Sequence, residues 1–175
     1  TRSEMDLEEE IEITYTSIIE SIVFDYQDLG EKVSFIKPKE KKIGFASTIF
    51  TGNKKVRTLQ VNKNHHLLVN AKPLSLQRAI TNLIENALKY GRTATLSLEF
   101  TSQNITLVVE DEGKNASEEL LETLKKPFIR GQNTGLTKGT GLGLTIVQTI
   151  AEQHGGYLSF EKSKVGIRAK FMIKR

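Results

Sequence analysis

Apolar positions recur along this chain with two different periods, and the changes between them mark its elements. From residue 1 to about residue 30, Leu7, Ile11, Ile18, Ile22 and Leu29 follow a roughly helical spacing, with Tyr15 and Tyr26 beside the line. No Gly or Pro interrupts it before Gly30. The spacing predicts one long helix whose stripe needs a partner, either a second helix or the body of its own domain. The basic stretch Pro38 to Lys42 reads as a connector. Period-two alternation then predicts short strands at Ala46–Phe50, Val56–Val61 and Leu67–Asn70. Pro73 opens a helix, at a position where its missing N–H costs nothing, and Gly91 closes it after Tyr90.

Thr95–Phe100 and Ile105–Glu110, rich in Thr, Leu and Val, are the clearest strands. A short helix is expected over Ser117–Lys125, with Ser117 as its cap and Glu118 and Glu119 in its first turn. Residues 126 to 140 carry Pro127, Gly131, Gly135 and Gly139 and read as a mobile loop, which at this length is either functional or disordered. A helix over Thr140–His154, ended by Gly155 and Gly156, and a hairpin of Tyr157–Lys162 with Ile167–Ile173 complete the chain. This irregular alternation predicts a layered α/β sandwich.

Composition narrows the function classes. With 175 residues the chain can hold one ordinary domain and a short appendage. It has no cysteine, which excludes disulfides, thiolate nucleophiles and thiolate zinc sites. The net charge of +4 covers an acidic beginning, Glu4 to Glu12, and scattered lysines. There is no stripe of Arg and Lys interleaved with aromatics, so nucleic acid is not expected as a partner. No run approaches the ~18 apolar residues of a membrane helix, and the first residues lack a signal-peptide pattern. Any membrane anchor is expected outside this chain.

Three segments carry candidate chemistry. On the Pro73 helix, Ile80, Leu83, Ile84, Ala87 and Leu88 form a core-facing stripe, and Asn82, Glu85, Asn86 and Lys89 occupy the other face. Asn82 and Asn86 are one turn apart, so their amides point the same way. An ordinary solvent face is the alternative, but Asn is a mediocre helix former and two in mid-helix are costly on a mere surface. An amide oxygen suits Mg²⁺ when phosphates supply the charge, and Lys89 could reach such a phosphate. Asp111-Glu112-Gly113 follows a Leu-Val-Val strand. There a carboxylate can accept from the exocyclic amine of adenine and Gly113 lets a base come close, although Asp-x-Gly is also an ordinary turn. Finally, Gly139-Thr140-Gly141-Leu142-Gly143-Leu144 leads into a helix. Its backbone amides and the helix N-terminus can surround an anion; otherwise the glycines form a hinge. The spacing matches neither the Rossmann nor the Walker pattern.

Taken in order, these segments resemble the histidine-kinase branch of the ATPase superfamily that includes gyrase, heat-shock chaperone and mismatch-repair ATPase domains. Asn82 to Tyr90 resembles the family's asparagine box and Asp111-Glu112-Gly113 its first glycine box. Lys126-Pro127-Phe128-Ile129-Arg130 resembles its phenylalanine box, and Gly139 to Leu144 its second glycine box. His154-Gly155-Gly156 before a strand matches the family's usual ending. The resemblance covers about residues 45 to 175.

It implies a two-layer α/β sandwich of the Bergerat type. A mixed sheet of about five strands would be covered on one face by three helices, with ATP between the helices and a flexible lid. Asn86 would hold Mg²⁺, while Asn82 and Lys89 would approach the phosphates. Tyr90 would lie near the nucleotide, Asp111 would select adenine, and Arg130 would steady the terminal phosphate.

Glu8 to Leu29 resembles the second helix of the family's dimerisation and phosphotransfer hairpin. Residues 1–32 are therefore read as part of that hairpin, 33–44 as a connector and 45–175 as the catalytic domain. None of His65, His66 and His154 stands in a phosphoacceptor context, so the acceptor histidine is expected on a helix outside this chain. The further expected partners are a response regulator and a second copy in the full-length protein, here a cytoplasmic domain of an inner-membrane sensor. Two positions depart from the pattern. Asn115 replaces the second glycine of the first glycine box, and Ala116 replaces a branched apolar residue; Asn tolerates a left-handed backbone better than most residues.

Three readings remain distinct: phosphate donation to histidine, an ATP-hydrolysing conformational machine, and a non-catalytic relic used for binding or scaffolding. Hydrolysing relatives usually place a water-activating Glu one turn before the metal-binding Asn, and here that position is Asn82. Donation to histidine is therefore the expected activity, with little self-phosphorylation by the chain alone.

Overall fold

The computed structural model describes residues 8–38, 67–113 and 142–175. Within them the chain runs β1 (Ile11–Thr14), α1 (Tyr15–Asp28), β2 (Val33–Ile36), β3 (Leu68–Ala71), α2 (Pro73–Gly91), β4 (Ala94–Phe100), β5 (Asn104–Glu110), α3 (Leu142–Gln153), β6 (Tyr157–Lys162) and β7 (Ile167–Lys174). The strands expected at Ala46–Phe50 and Val56–Val61, the helix at Ser117–Lys125 and the whole 126–140 loop lie outside the described residues.

Five strands form one mixed sheet in the order β2-β4-β5-β7-β6. β2 runs parallel to β4 and every other pair is antiparallel. Alternation along each strand sorts the side chains by face. Leu96 lies opposite Val109, Leu98 opposite Leu107, and Leu107 opposite Phe171, so these residues share one face with Val33, Ile105 and Ile173. All of them are buried in a single core with residues of the three helices. The other face is polar. Arg168 pairs with Glu110 at 3.1 Å and with Glu161 at 3.8 Å, and Lys170 pairs with Glu161 at 3.0 Å. One covered face and one charged face make the expected two-layer sandwich.

The long helix expected over residues 1–30 is replaced by two elements. Ile11-Glu12-Ile13-Thr14 is a strand, paired antiparallel with β3 from Ile11↔Ala71 to Thr14↔Leu68. Only Tyr15–Asp28 is helical, and its buried face is Tyr15, Ile19, Ile22 and Val23. That is an i, i+4, i+7, i+8 stripe in a different phase from the one read in the sequence. Ile11 is 52% exposed and Leu29 78%, so the ends of the expected seam face solvent. Among the described residues α1 shares the core of the rest and packs on α2 and β2, β2 edges the five-stranded sheet beside β4, and β1 forms a separate two-stranded sheet with β3.

α2 organises the remainder. Pro73 is its first residue, and its buried face runs Ser75, Leu76, Ala79, Ile80, Leu83, Ile84, Ala87 and Gly91. The left-handed residue that ends it is Arg92, at φ 63°, rather than Gly91. Its N-terminus has no local cap, since the N-cap residue is Lys72. Distant side chains take that role. Glu8 accepts hydrogen bonds from the Leu74 N–H (2.5 Å), the Ser75 N–H (3.1 Å) and the Ser75 hydroxyl (2.7 Å). The His154 Nε2 accepts from the Lys72 N–H at 3.1 Å.

Candidate functional site

The chemistry-bearing residues collect along α2 and at the two places where other elements touch it. Near its middle, Leu83, Ile84 and Ala87 anchor the helix in the core, which leaves Asn82 and Asn86 half-buried and Glu85 and Lys89 exposed. Asn82 donates from Nδ2 to the Arg78 carbonyl at 2.8 Å, which fixes its amide and turns the oxygen outward from the helix. That oxygen faces the start of α3, where a Cβ placed on Gly143 would lie 2.8 Å from Asn82 Oδ1. The Asn-bearing helix and the glycine-bearing helix therefore meet at one point. Leu142 begins α3, and Leu144 packs against the core.

Glu85 points elsewhere. It accepts a hydrogen bond from Tyr26 of α1; burial first, then Glu85 and Glu31, push that phenol's pKa up. It is engaged away from the Asn82 and Asn86 side of the helix. Toward the C-terminal end, Lys89 Nζ sits 5.2 Å from the centroid of the Tyr90 ring. The Tyr90 ring is 55% exposed, open to stacking by a flat ligand.

The second meeting place is Asp111, just beyond β5. Its Oδ1 accepts from the Gly113 N–H at 2.9 Å and the Ile167 N–H at 3.0 Å. Its own N–H donates to the Ile167 carbonyl at 3.0 Å. No described residue bonds to Oδ2, so this half-buried carboxylate is oriented by backbone and keeps one oxygen for a donor from outside. Gly113 sits where a Cβ would be 3.1 Å from Asp111 Oδ1 and 3.2 Å from the Tyr90 carbonyl. Asp111 thus packs against the end of α2. Asn82 and Gly91 are nine residues apart on that helix, so the two meeting places are about 13 Å apart along its axis, the scale of an extended nucleoside triphosphate.

Residues 71–175 match the family described as histidine kinase-, DNA gyrase B- and HSP90-like ATPases. The chain belongs to this family. Among curated relatives, the ATPase domain is 44% identical over 105 residues to the sensor histidine kinase GtrS of Pseudomonas aeruginosa, covering 59% of this chain and 22% of that protein. It is 36% identical over 97 residues to the sensor histidine kinase CpxA of Escherichia coli, covering 54% of this chain and 21% of that one. The chain thus spans about a fifth of the length of these relatives. Its fold is similar to the nucleotide-free catalytic domain of the histidine kinase ThkA, with TM-score 0.67 at 23% identity over 95% of each chain. It is also similar to the histidine kinase domain of the E. coli osmosensor EnvZ, with TM-score 0.63 at 23% identity over 99% of this chain and 92% of that one.

Of the residues singled out in the sequence, Asn82, Asn86, Lys89, Tyr90, Asp111, Gly113 and Gly143 of the ATPase domain line this stretch of α2 and its two contacts. Arg130, Gly139, Thr140, Gly141, Asn115 and Ala116 lie outside the described residues, as do His65 and His66. His154 is buried with both ring nitrogens engaged. Nδ1 donates to the Ile150 carbonyl at 2.8 Å and Nε2 accepts from Lys72, which is the neutral tautomer in a structural role. Two contributors were not foreseen, Gly166 and the backbone N–H of Ile167. Both lie some 55 residues after Asp111, and no local pattern marks them.

Proposed function

We propose that this ATPase-family domain binds Mg²⁺–ATP along α2 and donates the γ-phosphoryl group to a histidine ring nitrogen on a helix outside this chain, with ADP as the leaving group. Asp111 carries the reading. A carboxylate with one oxygen fixed by two backbone N–H groups presents the other to the exocyclic amine of adenine, which donates there, whereas the carbonyl of guanine cannot. Tyr90 flanks the base. Some 13 Å along the helix, Asn82 and the N-terminus of α3 face the phosphates, while Lys89, near the base end beside Tyr90, reaches them by its long side chain; Gly139 to Leu144 and Arg130 are assigned to the phosphates from the sequence alone.

Asn86 is assigned to Mg²⁺. Among the described residues no group of three or more His, Cys, Asp or Glu side chains could hold a metal. The ion would therefore arrive with the phosphates and use the Asn86 amide oxygen as a neutral ligand. Bound there, Mg²⁺ would neutralise charge on the triphosphate. Hydrolysis is disfavoured because Glu85, the one carboxylate of α2, accepts from Tyr26 and points away from Asn82 and Asn86.

The full protein is proposed to be a two-component sensor that acts as a dimer, relays phosphate to a response regulator and keeps this domain in the cytoplasm, any membrane anchor lying outside the chain. The ThkA kinase, whose fold is similar at TM-score 0.63 and 18% identity, is known in complex with the response regulator TrrA. Among the described residues no helix is long and apolar enough to cross a membrane.

Calorimetric titration tests the metal role. Asn86→Ala is expected to weaken ATP binding in Mg²⁺ by tenfold or more and to change it little in chelator. Equal losses in both conditions remove Asn86 from the metal. Radiolabel from ATP should reach a fragment bearing the acceptor helix and not this chain alone.

A further inference from the structure

Gly91 and Gly166 have no backbone reason to be glycine. Among the described residues the glycines with positive φ are Gly30 and Gly155, and neither Gly91 nor Gly166 is one of them. Gly91 is the last residue of α2, a place where alanine is ordinarily the better helix former. The reason lies across the interface. A Cβ on Gly91 would stand 2.4 Å from Asp111 Cβ and 2.9 Å from the Glu112 backbone nitrogen. A Cβ on Gly166 would stand 2.2 Å from the Asp111 carbonyl oxygen and 2.3 Å from Asp111 Oδ1. Neither contact is relieved by turning a side chain, because backbone atoms of residues 111 and 112 are involved in both.

We propose that Gly91 and Gly166 are positioning residues for the base-recognition carboxylate: they let α2 and the turn before β7 close on Asp111 from two sides. This rests on the reading of Asp111 as the adenine acceptor. The geometry defines what closure achieves. Gly166 precedes Ile167, whose N–H holds Oδ1, so the turn must approach for that bond to form. The turn is itself braced, since Ser163 Oγ accepts from the N–H groups of Val165 (3.2 Å) and Gly166 (3.0 Å). On the other side, Gly91 sets how near Tyr90 and the end of α2 come to the carboxylate. A methyl group at either position would push Asp111 away from its two N–H donors and re-aim Oδ2. The nucleotide would still find its phosphate contacts near Asn82, but the choice of base would be lost.

The experiment compares ATP and GTP affinities, in Mg²⁺ and in chelator, for the unaltered chain, Asp111→Asn, Gly91→Ala and Gly166→Ala, with circular dichroism and thermal unfolding as folding controls. Both glycine variants are expected to lose most of the ATP-over-GTP preference, as Asp111→Asn does, while the ratio of affinities with and without Mg²⁺ stays within about twofold of the unaltered chain. A folded Gly91→Ala or Gly166→Ala that keeps its base preference overturns the assignment for that residue. If Gly91→Ala does not fold, Gly91→Ala combined with Asp111→Gly removes two of the three atoms the methyl meets, Asp111 Cβ and Cγ, and should recover part of the lost stability; no recovery overturns the proposal for Gly91. Around Gly166 the nearest atom is the Asp111 carbonyl oxygen, which no side-chain deletion removes, so for an unfolded Gly166→Ala the test passes to Ser163→Ala, which takes away the brace of the same turn; it is expected to lower the ATP-over-GTP preference, and a folded Ser163→Ala with unchanged preference overturns the proposal for Gly166. An unaltered chain indifferent to the base would instead overturn the role of Asp111, and this proposal with it. Loss of preference in Asp111→Asn but not in the glycine variants sinks this proposal alone.

Discussion

Gly143→Ala should separate stability from nucleotide binding, because it leaves the first nearly unchanged and weakens the second. Gly143 is the second residue of α3, and replacing glycine by alanine in a helix favours the helix by up to about 1 kcal/mol. The added methyl meets Asn82 Oδ1 at 2.8 Å and the Asn82 Cγ only at 3.6 Å. The clash is therefore with the far end of a side chain that can turn away, at the expense of its 2.8 Å bond to the Arg78 carbonyl. Losing that exposed hydrogen bond costs about 0.5–1 kcal/mol, which roughly cancels the helix gain. The ligand-free domain should thus unfold in urea within about 1 kcal/mol of the unaltered chain.

Binding has no such compensation. If the Asn82 amide donates to a phosphate, its displacement costs about 1.5–3 kcal/mol, a charged-group hydrogen bond, or roughly 10- to 150-fold in affinity. Calorimetry with ATP and Mg²⁺ and urea denaturation of the same preparation give both numbers. Tight ATP binding by a folded Gly143→Ala chain would refute the placement of Asn82 at the phosphates. A loss of more than about 2 kcal/mol without ligand would show that the α2–α3 contact is structural instead.

Two other substitutions probe the core and the start of α2. The Tyr15 hydroxyl is fully buried with no partner among the described residues, and burial raises its pKa above the ordinary ~10. The native state then keeps a proton the unfolded chain releases above pH ~10, so stability falls by about 1.4 kcal/mol per pH unit there. Tyr15→Phe should remove that slope and leave stability at pH 7 equal or higher; an unchanged alkaline unfolding profile counts against it. Glu8→Gln keeps the shape of the group that caps α2 but removes its charge and half of its acceptor capacity. It should lower stability by about 0.5–2 kcal/mol in urea, and no measurable loss would mean that the cap does not persist in solution.

Local rules carried much of the fold. Pro73, the apolar stripe to Leu88 and the alternation of Thr95–Phe100 and Ile105–Glu110 located α2, β4 and β5 to within about a residue, because each is decided by its own neighbours. The start of the chain was misread for the converse reason. Ile11-Glu12-Ile13-Thr14 alternates with β-branched residues, a strand signal, but the partner that makes it a strand is Leu68–Ala71, far along the chain. A helical line could be drawn through Ile11 and Ile18 as easily. At the site, Asn82, Asn86 and Asp111 were visible because their chemistry is unusual for their positions. Gly91 and Gly166 were not, since a glycine that makes room for a side chain elsewhere looks like any glycine at a helix end or a turn.

The long-range cap of α2 also bears on the order in which the domain assembles. The Lys72, Leu74 and Ser75 N–H groups at the start of this helix gain these protein partners only when Glu8, 66 residues before Leu74, and His154, 82 residues after Lys72, are both in place. Contacts of such sequence separation close large loops and form late in folding. The middle of α2 can gain helix on β4 and β5 while its N-terminal turn is still frayed. Weakening Glu8 or His154 should therefore accelerate unfolding and leave the folding rate nearly unchanged, the signature of interactions made after the rate-limiting barrier.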